Sequence, residues 1–250
     1  MKHFTMTKPV LFINIFLGAV FLFYLLRYLW SLFHEGFYRP EEWAEAVRKH
    51  RIDATLNKAR RKYKDKLRFY SLWLMAEQLR KNKVKGAYAE LGVYKGETAR
   101  ILHYLDPDRE LHLFDSFIGF SEEDLKGETG DAATYTVKNF ADTSLQKVRQ
   151  FMGTSPKIHF HQGHFPETSK GLEKLSFALV SLDADLYQPT KAGLEFFYPR
   201  LNPGGLIFIH DYNYRWAGIQ KAVDEFVKEN SVCFVLLPDR DGTVVITKQT

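Results

Sequence analysis

Residues 87–99 read Ala-Tyr-Ala-Glu-Leu-Gly-Val-Tyr-Lys-Gly-Glu-Thr-Ala, and this stretch decides the fold. Ala87 to Leu91 is a short apolar run with strand character, Gly92 to Gly96 is a glycine turn, and a helix follows from Gly96 to Leu105. Glycines let a backbone come close to a ligand, and a helix start offers free N–H donors. The Gly-Lys-Ser/Thr ending of a phosphate loop is missing, and so is the third glycine of a dinucleotide fingerprint. Glu90 at the strand end suits a ligand ammonium better than a pyrophosphate.

Strand and helix signals alternate on either side of this unit. Upstream, Phe69 to Leu79 is an amphipathic helix that ends at a Lys-Asn-Lys run. Downstream come a strand at 110–115, a helix at 143–152 and strands at 157–162 and 177–182. A helix at 190–198, a strand at 205–209 and a helix at 217–230 follow. Residues 232–237 and 243–247 form a closing hairpin around Asp239-Arg240-Asp241-Gly242. Alternation through five strands predicts an α/β, doubly wound, mostly parallel sheet, and the hairpin brings the total to seven strands. Ligands on such sheets bind beyond the carboxyl ends of the strands.

The candidate chemistry falls at those ends. Asp115 closes Leu111-His-Leu-Phe-Asp115, about 25 residues beyond Glu90, where a carboxylate can accept both hydroxyls of a ribose. A loop-capping Asp is the plainer reading. Asp183 and Asp185 end the fourth strand, and His210 and Asp211 end the fifth. Asp183, Asp211 and either His210 or Asp185 could make an oxygen-rich metal site that lowers the pKa of a substrate hydroxyl. Carboxylates capping helix starts remain the alternative, more so for Asp185. The segment from Gly119 to Thr143 has little apolar periodicity and reads as a lid over the substrate.

The N-terminus has another character. Pro9 to Leu26 carries no charge, with Asn14 its one strongly polar residue, and Tyr28 to Phe33 could extend the same helix. That length nearly spans a hydrocarbon core. Tyr28, Trp30 and Tyr38 suit an interface, and the bulky Tyr-Leu-Leu-Arg-Tyr-Leu-Trp that follows does not resemble a signal-peptide cleavage site. Lys2 and Lys8 precede the segment, whereas Arg27, Arg39 and a basic block follow it. The positive-inside rule therefore places the rest of the chain in the cytoplasm.

The basic block holds ten Lys or Arg between Arg48 and Arg68 against two Asp, and without it the rest of the chain of net charge +5 is close to neutral. Attraction to an anionic membrane surface or a solvated helix face explains it. Nucleic acid does not, because no aromatic-interleaved basic face accompanies the charge. Cys233 is the sole cysteine, which rules out an intramolecular disulfide, and its apolar neighbours make it a core residue. Three segments follow: a membrane anchor at 1–35, a basic helical connector at 36–67, and a catalytic domain at 68–250.

Five strings together carry a resemblance: Glu90-Leu-Gly-Val-Tyr-Lys-Gly96, Phe114-Asp-Ser-Phe-x-Gly119, Asp183-Ala-Asp-Leu-Tyr-x-x-Thr190, Tyr198-Pro-Arg-Leu-x-Pro-Gly-Gly205 and His210-Asp-Tyr212. Over residues 68–230 the chain resembles the macrocin O-methyltransferase family, which methylates sugar hydroxyls using S-adenosylmethionine and Mg²⁺. The resemblance implies a class I methyltransferase fold and a cofactor site lined by Glu90, Gly92, Tyr94, Gly96, Asp115 and Ser116, with Gly163 and His164 near the adenine. It also implies Asp183 and Asp211 as metal ligands, with Asp183 catalytic.

The chain has His210 where the family commonly has Asp. Histidine is a poorer Mg²⁺ ligand, so His210 is expected to be either a ligand for another divalent ion such as Mn²⁺ or a general base. The N-terminal helix shifts the expected acceptor towards a membrane- or lipid-linked glycan, and the reading admits a homo-oligomer. Two other readings stand beside it: a membrane-anchored scaffold with a degenerate methyltransferase domain, and a catechol-type small-molecule O-methyltransferase.

Overall fold

The structure, a computed structural model, describes residues 8–33 and 39–249. The expectations for Lys2, residues 34 and 35, and Tyr38 lie outside the described residues. The chain divides into two compact units, Met1–Lys49 and His50–Thr250.

In the first unit, α1 (Lys8–Phe33) is long and largely apolar, and α2 (Glu41–Arg48) follows. Within α1, Lys8–Trp30 has a mean hydropathy of 2.4, and by length and composition it could cross a membrane. Phe12, Phe16, Phe21 and Phe23 on it are exposed, so none of them gains burial from this unit.

The second unit opens with α3 (Ala54–Lys62) and α4 (Lys66–Lys81), each started by an aspartate. The Asp53 side chain accepts the Thr55 amide and Asp65 accepts the Arg68 amide, which satisfies donors that a helix start leaves free. The connector expected to be helical over 36–67 is thus interrupted between α2 and α3. Then come β1 (Ala87–Leu91), α5 (Glu97–Leu105), β2 (Leu111–Asp115), α6 (Leu145–Met152), β3 (Ile158–Gln162) and β4 (Phe177–Leu182). The chain ends with α7 (Tyr187–Arg200), β5 (Leu201–Ile209), α8 (Ala217–Asn230), β6 (Phe234–Leu237) and β7 (Thr243–Thr247).

The seven strands form one sheet in the order β3-β2-β1-β4-β5-β7-β6, the first five parallel and β7 antiparallel to both neighbours. The chain therefore winds outward from β1 in one direction and from β4 in the other. The crevice at that reversal is where such sheets bind ligands. Every residue of β1 and β4 is buried, as expected for central parallel strands covered on both faces. Phe114, Phe165, Phe177 and Phe197 pack on one another beside Val180, Ile207 and Val223 to form the core.

One expectation fails here. Cys233 is exposed: it stands just before β6, the edge strand of the sheet.

A second consequence of the sheet order concerns pH. His112 on β2 lies opposite His159 on β3, and the rings of His112, His159 and His161 are stacked. Burial first, and then repulsion from the other two rings, pushes the His112 pKa down to about 4, and His161 is lowered for the same reasons. The folded state therefore binds fewer protons than the unfolded chain. The stability tied to His112 is full above about pH 6.5 and falls as the pH drops towards 4, by about 2 to 3 kcal/mol. Urea unfolding at pH 7 and pH 5 measures this. Going from pH 7 to pH 5, wild type should lose about 2 kcal/mol relative to His112→Phe, and an identical pH dependence in the two proteins would reject the assignment.

Candidate active site

The ends of β1, β2, β3, β4 and β5 are tied together in sequence. The Gly92 amide donates to Phe114 O, Gly163 N to Asp115 O, Asp183 N to Leu91 O, and His210 N to Leu182 O, at 2.8–3.0 Å. Gly92 has φ +87°, and a Cβ there would lie 1.9 Å from Asp183 O, so no side chain fits between the glycine turn and the end of β4. Gly96, at φ +83°, starts α5. Close contact between the turn and β4 is what brings the expected cofactor loop beside Asp183.

Above these ends lies a cavity of about 810 Å³, within the size range of small-molecule sites. Glu90, Gly92, Tyr94, Asp115, Ser116, Gly163, His164, Asp183 and Asp211 line it, as do Asp185 and Arg68. Gly96 shapes the turn without lining the cavity. Tyr94, Asp185 and Asp211 have φ of +50°, +61° and +61°, a costly conformation for residues other than glycine that is common at functional sites.

Glu90 is 1% exposed, and its Oε2 has no hydrogen-bond partner. Burial, then repulsion from Asp183 and Asp115, raises its pKa well above the usual carboxyl range. A buried acid with a free oxygen facing a cavity is costly, and a ligand cation would relieve that cost.

Asp115 is held differently. Its Oδ2 accepts the Val93 and Tyr94 amides at 2.7 and 2.8 Å, and Oδ1 accepts the Phe117 amide at 2.5 Å. It pins the glycine turn to β2, which is the capping role, and its remaining lone pair is all that a ribose hydroxyl could use. Ser116 Oγ donates to Gly119 O and closes the next turn. His164 bridges Asp124 and Glu167; burial lowers its pKa, but the two acidic partners outweigh that and raise it overall.

Asp183, Asp185 and Asp211 share one wall. Burial raises all three, and Asp183 and Asp211 add repulsion at Asp185, while Asp211 is pushed up to about 8 by burial and then by Asp183. Among the described residues no group of three or more His, Cys, Asp or Glu is gathered into a metal-binding shell. In donor chemistry the carboxylates fit a hard divalent cation, which would offset their mutual repulsion.

His210 is a correction. It is 1% exposed, Nε2 is hydrogen bonded with Ser181 Oγ at 2.9 Å, and Nδ1 with Thr243 Oγ1 at 3.1 Å. Both ring nitrogens are therefore occupied inside the sheet, and burial together with Arg68 lowers the pKa well below normal. The ring does not line the cavity. His210→Asp, which would match the family pattern, should destabilise the fold by roughly 1 to 3 kcal/mol by burying an acid between two hydroxyls. A melting temperature equal to wild type would restore His210 to the site.

The sequence reading missed several wall residues. Tyr63, Thr98, Asp124, Tyr135, Phe140, Trp216 and Asp241 all line the cavity. Arg68, counted with the solvated basic block, is buried. Its spacing carried the signal, because Arg68, Leu72, Ala76 and Leu79 recur on one buried face of α4. The segment expected to be a lid supplies Phe120, Tyr135 and Phe140, whose rings pack on one another, with Phe140 also against Tyr94 of the glycine turn. Glu128 Oε1 from the same segment accepts the Tyr187 amide at the start of α7.

Comparison with known proteins places this cavity in a family. Over 140 residues the chain is 29% identical to the 8-demethyl-8-(2,3-dimethoxy-alpha-L-rhamnosyl)-tetracenomycin-C 4'-O-methyltransferase of Streptomyces olivaceus, covering 52% of this chain and 54% of that one. Over 173 residues it is 27% identical to the demethyldecarbamoylnovobiocin O-methyltransferase of Streptomyces niveus, covering 64% and 66%. The matched region thus spans between half and two thirds of these relatives. Among solved structures, the O-methyltransferase NovP superposes with a TM-score of 0.67 at 24% identity, covering 74% of this chain and 81% of that one. The calicheamicin methyltransferase CalS11 superposes at 0.58 and 22% identity, covering 72% and 77%. At these identities the likeness establishes a shared methyltransferase fold. The family model described as Macrocin-O-methyltransferase (TylF) matches residues 41–244, and the chain belongs to that family.

Proposed function

We propose that the protein transfers a methyl group from S-adenosylmethionine to a hydroxyl of a sugar or glycan acceptor. The observation that carries this reading is Glu90, a fully buried carboxylate with an unpartnered Oε2 on the wall of a cavity at the sheet's reversal point. Such a group suits the ammonium of the cofactor's methionine end. Asp115, Ser116, Gly163 and His164 take the ribose and adenine side. The relatives' printed names, a rhamnosyl-tetracenomycin 4'-O-methyltransferase among them, support a sugar hydroxyl as acceptor.

In the transfer, the acceptor oxygen forms a bond to the methyl carbon as the carbon–sulfur bond breaks. The sulfonium becomes a neutral thioether, and the hydroxyl proton leaves to a base. We assign Asp183, which lines the cavity at the end of β4, as the carboxylate that receives it. Asp183 and Asp211 would hold a divalent metal, Mg²⁺ first, which when bound supplies a positive charge that acidifies the hydroxyl. The aromatic rings of Phe120, Tyr135 and Phe140 exclude water from the transfer and act as the lid.

In this reading α1 anchors the enzyme to a membrane with the second unit in the cytoplasm, where S-adenosylmethionine is available, and the acceptor is membrane- or lipid-linked. Two experiments test it. Labelled methyl transfer from S-adenosylmethionine should enter saccharides or membrane-extracted glycolipids, and no labelled acceptor from either pool would reject the activity. Removing residues 1–35 should move the protein from the membrane to the soluble fraction with cofactor affinity kept. Soluble full-length protein would reject the anchor.

A further inference from the structure

Arg68 sits in the first turn of α4, on its buried face, and it is 9% exposed. Among the described residues it is the one buried Lys or Arg. Nε donates to Asp239 Oδ2 at 3.0 Å, but Nη2 has no hydrogen-bond partner, and the Asp241 carboxylate stands 4.0 Å from it. Arg68 lines the same cavity as Glu90, whose Oε2 is likewise unpartnered. Asp183 lies between their fields: it is 4.0 Å from Arg68 Nη1, and its charge acts on Glu90. Tyr63, on the cavity wall, feels both Arg68 and Glu90. The cavity thus presents one free buried donor of positive charge and one free buried acceptor of negative charge.

Two unpartnered polar atoms on one wall, a guanidinium N–H and a carboxyl oxygen, call for a ligand carrying both signs. A phosphate would meet Arg68 but would also face Asp115, Asp183, Asp185 and Asp211, which repel it. An amino-acid end brings its own ammonium, and a sulfonium adds a second positive charge that suits the acidic wall. The α-carboxylate is the single anionic group of such a cofactor. We propose that Arg68 is a cofactor-binding residue, its guanidinium taking the α-carboxylate of S-adenosylmethionine while Glu90 takes the α-ammonium. This rests on the cofactor reading above and adds the residue that recognises the carboxylate. A guanidinium is fitted to it because its planar fork leaves Nη donors free after Nε is committed to Asp239.

Calorimetric titration with three ligands tests it: S-adenosylmethionine, its decarboxylated analogue, and 5′-methylthioadenosine, which lacks the amino-acid end. Wild type should prefer S-adenosylmethionine to the decarboxylated form by about 10- to 100-fold, the range for a charged hydrogen-bonded pair. Arg68→Met should bind both at the affinity of the decarboxylated form, and Arg68→Lys should recover part of the preference. 5′-Methylthioadenosine should bind wild type and Arg68→Met alike, which reports an intact adenosine site. Equal weakening of all three ligands in Arg68→Met, or no preference in wild type, overturns the assignment. Wild type that binds none of the three overturns the cofactor reading itself.

Discussion

Asp183→Asn is expected to lower methyl transfer by on the order of a thousandfold or more, about 4 kcal/mol of transition-state stabilisation, while cofactor affinity changes by less than about threefold. The separation follows from how Asp183 is built into the sheet. Its backbone amide donates to Leu91 O at 2.8 Å, and its carbonyl is the atom that crowds Gly92. The position of the glycine turn therefore depends on the Asp183 backbone, which asparagine preserves. Only the carboxylate is altered, and with it the proton acceptor and a metal-holding oxygen. Burial already penalises that charge, so a neutral side chain of the same size should leave the melting temperature near wild type. A chelator should reproduce the loss in wild type, with cofactor titration as the control. Turnover within tenfold of wild type in Asp183→Asn would remove this carboxylate from the chemistry.

The strand-turn-helix unit at residues 87–99 was legible because its signals are local: a short apolar run, a glycine turn and a helix start. The alternation beyond it required only the right-handed crossover of parallel strands, so the sheet followed, closing hairpin included. What was not legible depends on contacts between distant segments. His210 looked like a site residue because it ends a strand beside Asp211. Whether its ring turns to the cavity or the interior depends on Ser181 and Thr243, 29 and 33 residues away. Asp115 was placed correctly at the strand end, but its hold on the Val93 and Tyr94 amides comes from a turn 21 and 22 residues upstream. Arg68 was hidden by its neighbours in a basic run, although its spacing with Leu72, Ala76 and Leu79 marks the buried face. Cys233 shows the converse: an apolar neighbourhood in sequence does not bury a residue that stands beside the sheet's edge strand.

Glu90→Gln should weaken S-adenosylmethionine binding by about 100-fold while leaving the unliganded fold as stable as wild type or more so. Both effects come from one buried oxygen. In the empty cavity, burial and the charges of Asp183 and Asp115 raise the Glu90 pKa well above its ordinary value. The folded state therefore holds a proton that the unfolded chain releases, and the stability tied to Glu90 falls as the pH rises above the ordinary carboxyl range. Glutamine has the same shape and no charge, so it removes that decline, and urea unfolding between pH 5 and pH 8 should show a flatter profile for the variant. A cofactor ammonium beside Oε2 reverses the balance, because a neighbouring positive charge favours the ionised acid. Binding should therefore expel the proton. Titrations in buffers of different ionisation enthalpy should report proton release for wild type and distinctly less for Glu90→Gln. If the variant bound the cofactor as tightly as wild type with the same proton release, the ammonium would have to be held elsewhere on the wall.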